Sequence, residues 1–343
     1  VHLCHCPTCR YTHGTLCIFH ASLPRGVQPE FLSPTNAPLS AAATSYTHPH
    51  GANSERFFCS TCGAHFGDRD LEPDSETGEK GWRVATSLFD AQQDGEEVFQ
   101  IRSHTFTDSA LAGGLYEWLP AMGERAMHVW NPDRADARFP PPPGEADRPA
   151  QEFDDRGGER LRAECHCGGV SFTVPRPTVP EVVGDEFVSK FVSPIEKDKW
   201  MATLDLCDDC RLLDGTHVAA WTFVPRALIE PKVGPDLKLG TMKVYQSSKG
   251  VRRTFCGVCG ATVLYACDDR KPSDESEVVD VAVGLVRAPE GVLAERWFTW
   301  RTGRIGWFED GEKYDPVFAQ SLKKGLEEWG RQKYSQTLDF EIL

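Results

Sequence analysis

The sequence predicts an all-β protein built as two tandem copies of one module, with a helix added at the C-terminus. Three observations predict it. First, the chain repeats itself. Cys9-Arg10, Gly14-Thr15 and Pro24 recur as Cys210-Arg211, Gly215-Thr216 and Pro225 at a constant offset of 201 residues, and Cys59-x-x-Cys62-Gly63-Ala64 recurs as Cys256-x-x-Cys259-Gly260-Ala261. Self-similarity of this kind marks a repeated structural unit. Second, short β-branched or aromatic runs bounded by turn residues fill most of both copies. Third, the stretch from Phe139 to Arg160, with four consecutive prolines and then charged and glycine residues, has no apolar periodicity. It reads as a linker, semi-rigid at its proline end.

These signals divide the chain into a first module over 1–135, a linker over 136–159, a second module over 160–312 and a tail over 313–343. Strands are expected in the first module at Leu16 to Leu23, Arg83 to Phe89 and Val98 to Arg102. In the second they are expected at Val170 to Val174, Trp200 to Cys207, Val218 to Val224, Met242 to Gln246, Ala261 to Ala266 and Val278 to Val286. In the tail Asp315 can cap, Pro316 suits the first helical position, and Phe318, Leu322, Leu326 and Trp329 share one face, so a packing helix is expected there.

At 343 residues the chain can bury two ordinary cores. Its net charge of −14 argues against phosphate backbones and anionic membranes as partners, and no apolar run approaches a membrane span. The chain starts at Val1, close to a cysteine cluster, and reads as a truncated start, so a targeting peptide upstream stays open. Thirteen cysteines are present, and only Cys17 and Cys267 stand apart from paired clusters. Disulfide scaffolds are usually short; clustered pairs in a large acidic chain read as metal ligands in a reducing, cytoplasmic compartment.

The clusters are of two kinds. Cys165-x-Cys167-Gly places two thiolates on one strand face, and Cys256-x-x-Cys259-Gly is a knuckle that turns two more toward the same ion. Four thiolates complete tetrahedral zinc and leave no open position, which defines a structural site. Cys4, Cys6 and Cys9 instead offer three ligands and an open fourth position, the arrangement of catalytic zinc. His5 points to the opposite strand face. In the second copy Asp205, Cys207 and Cys210 fill the same places; a carboxylate is an acceptable ligand, and a solvated aspartate beside a dead site is an equal reading. Cys59 and Cys62 form half of a structural site, because the counterpart of Cys165 and Cys167, 42 residues ahead of the open cluster, would fall before Val1. Arg10 and Arg211, beside the thiolates, are candidates to hold a substrate carboxylate, with a plain surface role as the alternative.

With these motifs the chain resembles two tandem copies of the glutathione-dependent formaldehyde-activating enzyme family, which also includes centromere protein V. The resemblance rests on Cys165-x-Cys167-Gly168, on Cys207-x-x-Cys210-Arg211, on Phe255-Cys256-x-x-Cys259-Gly260, on the Val278-to-Leu285 strand and on Trp297 and Trp300. It implies a tent-like folded antiparallel sheet in each copy, with one structural and one catalytic zinc. By that analogy Cys165, Cys167, Cys256 and Cys259 are structural ligands, and Cys4, Cys6, Cys9, Cys207 and Cys210 are catalytic ones. Asp205 departs from the family pattern, as does the missing opening motif of the first copy. The implied reaction is addition of the glutathione thiol to formaldehyde or another small aldehyde, giving S-hydroxymethylglutathione: a carbon–sulfur lyase run backwards, with Cys4/Cys6/Cys9 as the leading centre. The competing reading is a noncatalytic zinc scaffold that serves as an interaction surface.

Overall fold

The computed structural model describes residues 1–343 except 31–36, 50–51, 134–135, 137–143, 145–146, 274–275 and 343. The four consecutive prolines of the expected linker therefore lie outside the described residues. The all-β expectation holds: two large sheets, one per copy, carry the chain.

Equivalent strands take the same order in both sheets. The first runs Ala43–Tyr46, Ser54–Cys59, His65–Asp70, Trp82–Ala85, Ile18–Ser22, His2–Cys4, Ser103–Thr105, and ends on an additional strand His128–Trp130. The second runs Met242–Ser248, Val251–Cys256, Thr262–Cys267, Val278–Ala282, Ala219–Pro225, Trp200–Asp205 and Phe298–Trp300. Neighbours are antiparallel except where Ser103–Thr105 meets His2–Cys4 and His128–Trp130, and where Trp200–Asp205 meets Phe298–Trp300. Ala219–Pro225 is buried along its whole length, which explains why it reads as a continuous apolar run and not as an alternating one. The strand expected over Val98 to Arg102 does not form. Asp94 and Gly95, at φ 53° and 83°, close a short hairpin between Gln92–Gln93 and Glu96–Glu97. That is the turn geometry an Asp-Gly pair favours, and it uses up the chain ahead of Ser103.

A smaller sheet of Glu152–Phe153, Glu159–Glu164 and Ser171–Pro175 precedes the second large sheet. Its first hairpin falls inside the stretch read as a linker, where Asp154 Oδ1 accepts from the backbone N–H of Arg156 and Gly158 at 2.9 and 2.7 Å. Its second hairpin turn carries Cys165 and Cys167.

The copies pack reciprocally. Gly14 and Gly215 end equivalent helices in left-handed conformation, at φ 80° and 65°. A Cβ on Gly14 would lie 2.3 Å from the Thr262 carbonyl oxygen, and one on Gly215 would lie 2.8 Å from Cβ of His65, the residue equivalent to Thr262. The equivalent residues Phe58 and Phe255 meet edge to face at 6.3 Å. Contacts exchanged in this way are the signature of a twofold-related pair, here within one chain.

The C-terminal helix spans Pro316–Tyr334, with Asp315 Oδ1 accepting from Phe318 N–H at 2.9 Å. As expected, Phe318, Leu322 and Leu326 are buried. The helix packs on the first copy: Phe318 meets Phe19 edge to face, Trp329 meets Trp118, and Trp118 in turn meets Trp300 of the second copy. It thus fastens the two modules together.

Candidate metal centres

The cysteines converge on three points. Sγ atoms of Cys165, Cys167, Cys256 and Cys259 all lie within 4.8 Å of one another, with Cys167 3.6 Å from Cys165 and 3.5 Å from Cys256. A tetrahedron with Zn–S bonds of about 2.3 Å has edges of about 3.8 Å, so these four thiols fit a metal of that size. Hydrogen bonds from Cys165, Cys167 and Cys259 hold the Cys256 thiol low, and bonding to Cys165, Cys167 and Cys256 drives Cys259 up. Crowded thiols compete for one negative charge unless a cation sits among them. Thr241 Oγ1 stands 3.1 Å from Cys256 Sγ, and the N–H groups of Gly169 and Val170 point at Cys167 and Cys165 at 3.4 and 3.3 Å. This corner docks on the first copy: His166 N–H donates to Tyr11 O at 3.0 Å, and its Nδ1 pairs with Tyr46 OH at 2.8 Å.

The other two clusters are built alike. Cys4 ends its strand, Cys6 caps the helix Pro7–His13, and Cys9 sits within the first turn. Asp205, Cys207 and Cys210 take the same positions around the helix Asp208–Asp214. Each set of three ligand atoms lies within 4.8 Å. Hydrogen bonds from Cys4 and Cys9 hold Cys6 well below the usual thiol range, while bonding to Cys6 lifts Cys4 well above it. Against a hydrogen bond from Cys4, bonding to Cys6 together with burial pushes Cys9 up to about 11. In the second set Cys207 is lowered by its bond from Cys210, and burial lifts Asp205 to about 6. Asp205 accepts from Cys207 N–H at 2.8 Å and faces Cys210 Sγ at 3.8 Å. It lies in register with Cys4 and shares a cluster with both thiols, so its donor set suits a metal. Among the described residues no third ligand atom joins Cys59 and Cys62. Cys17 is buried in the core.

His5 is buried on the far side of its strand, with Nε2 2.9 Å from His104 Nδ1. The arginines expected at substrate are committed within the chain. Arg10 donates to His5 O at 3.1 Å and packs over Tyr11. Arg211 bonds Asp208 at 3.0 Å, donates to Ser87 O of the other copy and stacks on Tyr314 at 3.9 Å. The guanidiniums that reach the sulfurs are Arg56, 3.8 Å from Cys9 Sγ, and Arg253, 3.3 Å from Cys210 Sγ. Sequence reasoning passed over both, although each stands three residues before its knuckle, in Arg56-x-Phe-Cys59 and Arg253-x-Phe-Cys256.

A duplicated β-sheet module with one four-thiol corner and two three-ligand clusters defines a tandem protein whose clusters could each hold a metal ion. The chain belongs to the glutathione-dependent formaldehyde-activating enzyme family, whose family model matches residues 1–109 and 192–300. Two matched regions place one family module in each copy. No curated protein and no solved structure matches the chain. Family membership connects it to glutathione and formaldehyde chemistry. Among the described residues no helix is long and apolar enough to cross a membrane.

Proposed function

We propose that this protein is a zinc-dependent carbon–sulfur lyase of the S-(hydroxymethyl)glutathione synthase kind, joining a small thiol, glutathione first, to formaldehyde or another small aldehyde. The observation that carries the reading is the convergence of Cys4, Cys6 and Cys9 on one point with a buried arginine at Cys9. Three ligands leave one position of a tetrahedral ion open. Zinc held there supplies a Lewis acid and a partner that keeps a thiol ionised at neutral pH. The reaction forms the carbon–sulfur bond, breaks the carbonyl π bond and moves the thiol proton to the new hydroxyl oxygen. Arg56 offsets the negative charge gathered on the three sulfurs, and it does so from a buried position where the charge pair is poorly screened. Cys165, Cys167, Cys256 and Cys259 would hold a second, structural zinc, and the acidic, thiol-rich chain fits a reducing, cytoplasmic setting.

The test is zinc per chain by native mass spectrometry, followed by the rate of thiol–aldehyde exchange above the uncatalysed background. Cys6→Ala is expected to lose one zinc and to bring the rate to background while the four-thiol corner keeps its ion. Unchanged turnover removes the assignment. Asp205 in place of a cysteine favours a second reading for the second cluster alone, as a packing scaffold that does no chemistry. Cys207→Ala then leaves turnover unchanged, and a drop comparable to that of Cys6→Ala would give the second cluster a catalytic share.

A further inference from the structure

Beside the second cluster lies a cavity of about 540 Å³, a size that holds a small organic ligand. Most of its lining comes from beyond residue 300, where the family match ends: the run Arg301 to Glu309, Lys323 and Ile342. The cavity is therefore built largely from residues outside the family match. The extension is held there by pairing, since Gly306 N–H donates to Leu204 O and Leu206 N–H to Gly306 O, both at 2.9 Å.

Two properties of the lining select a ligand. Trp221, Phe223, Trp307 and Phe308 make apolar walls, and Trp307 is 66% exposed. The charges are unevenly committed. Arg270 is paired with Asp280, Arg304 with Asp339 at 3.0 Å, and Asp205 is taken up by its own cluster. Arg301 is 4% exposed and donates only to the backbone oxygens of Arg304 and Phe340; it has no ion-pair partner among the described residues. Burial first, and then the charge of Arg304, lower its pKa to about 10, against the weaker pull of Asp339 and Asp205. Lys323 likewise lacks an ion pair among the described residues and sits 5.0 Å over the Phe308 ring. Against these two cations stands Glu309, exposed at the rim. A buried guanidinium without a counter-ion, in a chain of net charge −14, marks a place kept for an anion.

We propose that this cavity binds a small organic carboxylate with an aromatic or apolar body, the carboxylate received by Arg301 and Lys323 and the body laid against Trp307, Phe308 and Trp221. The cavity borders the second cluster through Asp205, yet the proposal does not rest on the thiol–aldehyde reading.

Trp221 and Trp307 provide the readout. The full chain is titrated with phenylacetate, and with phenylacetamide as the neutral isostere, while tryptophan fluorescence is followed. Phenylacetate is expected to saturate with Kd of about 1 mM, and phenylacetamide to bind about tenfold more weakly or not at all. Arg301→Gln is expected to weaken phenylacetate about tenfold or more. Because Arg301 also ties down the backbone of Arg304 and Phe340, Lys323→Met, which breaks no such contact, carries the test independently. It is expected to weaken phenylacetate about three- to tenfold and leave phenylacetamide unchanged. Equal affinity for acid and amide, no saturation at about 10 mM, or unaltered binding in Lys323→Met would overturn the proposal.

Discussion

His217 is the residue whose replacement tests the packing between copies most directly. Its ring stacks on Phe19 of the other copy at 4.4 Å and meets Tyr314 and Phe318 edge to face at 5.3 and 5.5 Å. Nε2 pairs with Thr86 Oγ1 at 2.9 Å, and Nδ1 has no partner among the described residues. Burial first, and then the charge of Arg211, pushes its pKa down to about 3. The folded state therefore refuses a proton that the unfolded chain accepts below its usual pKa of about 6.5. Stability from this residue is whole above that value and falls with pH down to about 3. Between about pH 7.5 and pH 5 the loss amounts to about 2 kcal/mol for this group. The repeat itself suggests the substitution, since Leu16 holds the equivalent place in the first copy. His217→Leu leaves Thr86 Oγ1 bonded to Phe19 O at 3.0 Å, so stability at pH 7.5 should change little. Urea unfolding of both proteins at the two pH values isolates the term, because every other acid-sensitive group is common to them. The variant should lose about 2 kcal/mol less than the parent on acidification. Equal losses would refute the reasoning.

Two further outcomes follow from the geometry. Cys256→Ser should remove one zinc per chain and several of the roughly 10 kcal/mol that a structural ion contributes, whereas Cys267→Ser, outside every cluster, should leave the zinc count unaltered. Gly14→Ala should cost about 2–5 kcal/mol in denaturant unfolding, combining left-handed strain with the clash on Thr262 O. Gly78→Ala, at φ 70° with nothing within 4 Å, should show the strain alone, at about 1–2 kcal/mol; equal costs at the two sites would argue against close packing of the copies.

Much of this architecture was legible because duplication doubles every signal. The clusters stood at matching offsets, and the helix at the end announced itself through Asp315, Pro316 and one apolar stripe. What escaped were features fixed by contacts distant in sequence. Arg56 and Arg253 look like ordinary strand arginines until the sheet curls each toward a sulfur 47 or 43 residues away. Arg10 and Arg211 look placed for substrate because they follow the thiols, yet a helix turns them back toward His5 O and, across the copies, toward Ser87 O. The Asp94-Gly95 hairpin was readable from its turn chemistry, and the β-branched content of the following run masked it.

The four-thiol corner bears on both copies. The first copy holds three thiols at its open cluster and two at its knuckle; the second holds all four at its closed corner and a carboxylate in the open cluster. The four-thiol corner of the second copy is docked on the first copy. His166, between two of its cysteines, donates to Tyr11 O in the helix that carries Cys9, and its ring pairs with Tyr46 beside the strand of Arg56. Order imposed by the closed corner is thereby passed to the helix and strand that shape the Cys4/Cys6/Cys9 cluster. Beside the Asp205 cluster lies the cavity in which Arg301 and Lys323 have no ion-pair partner among the described residues.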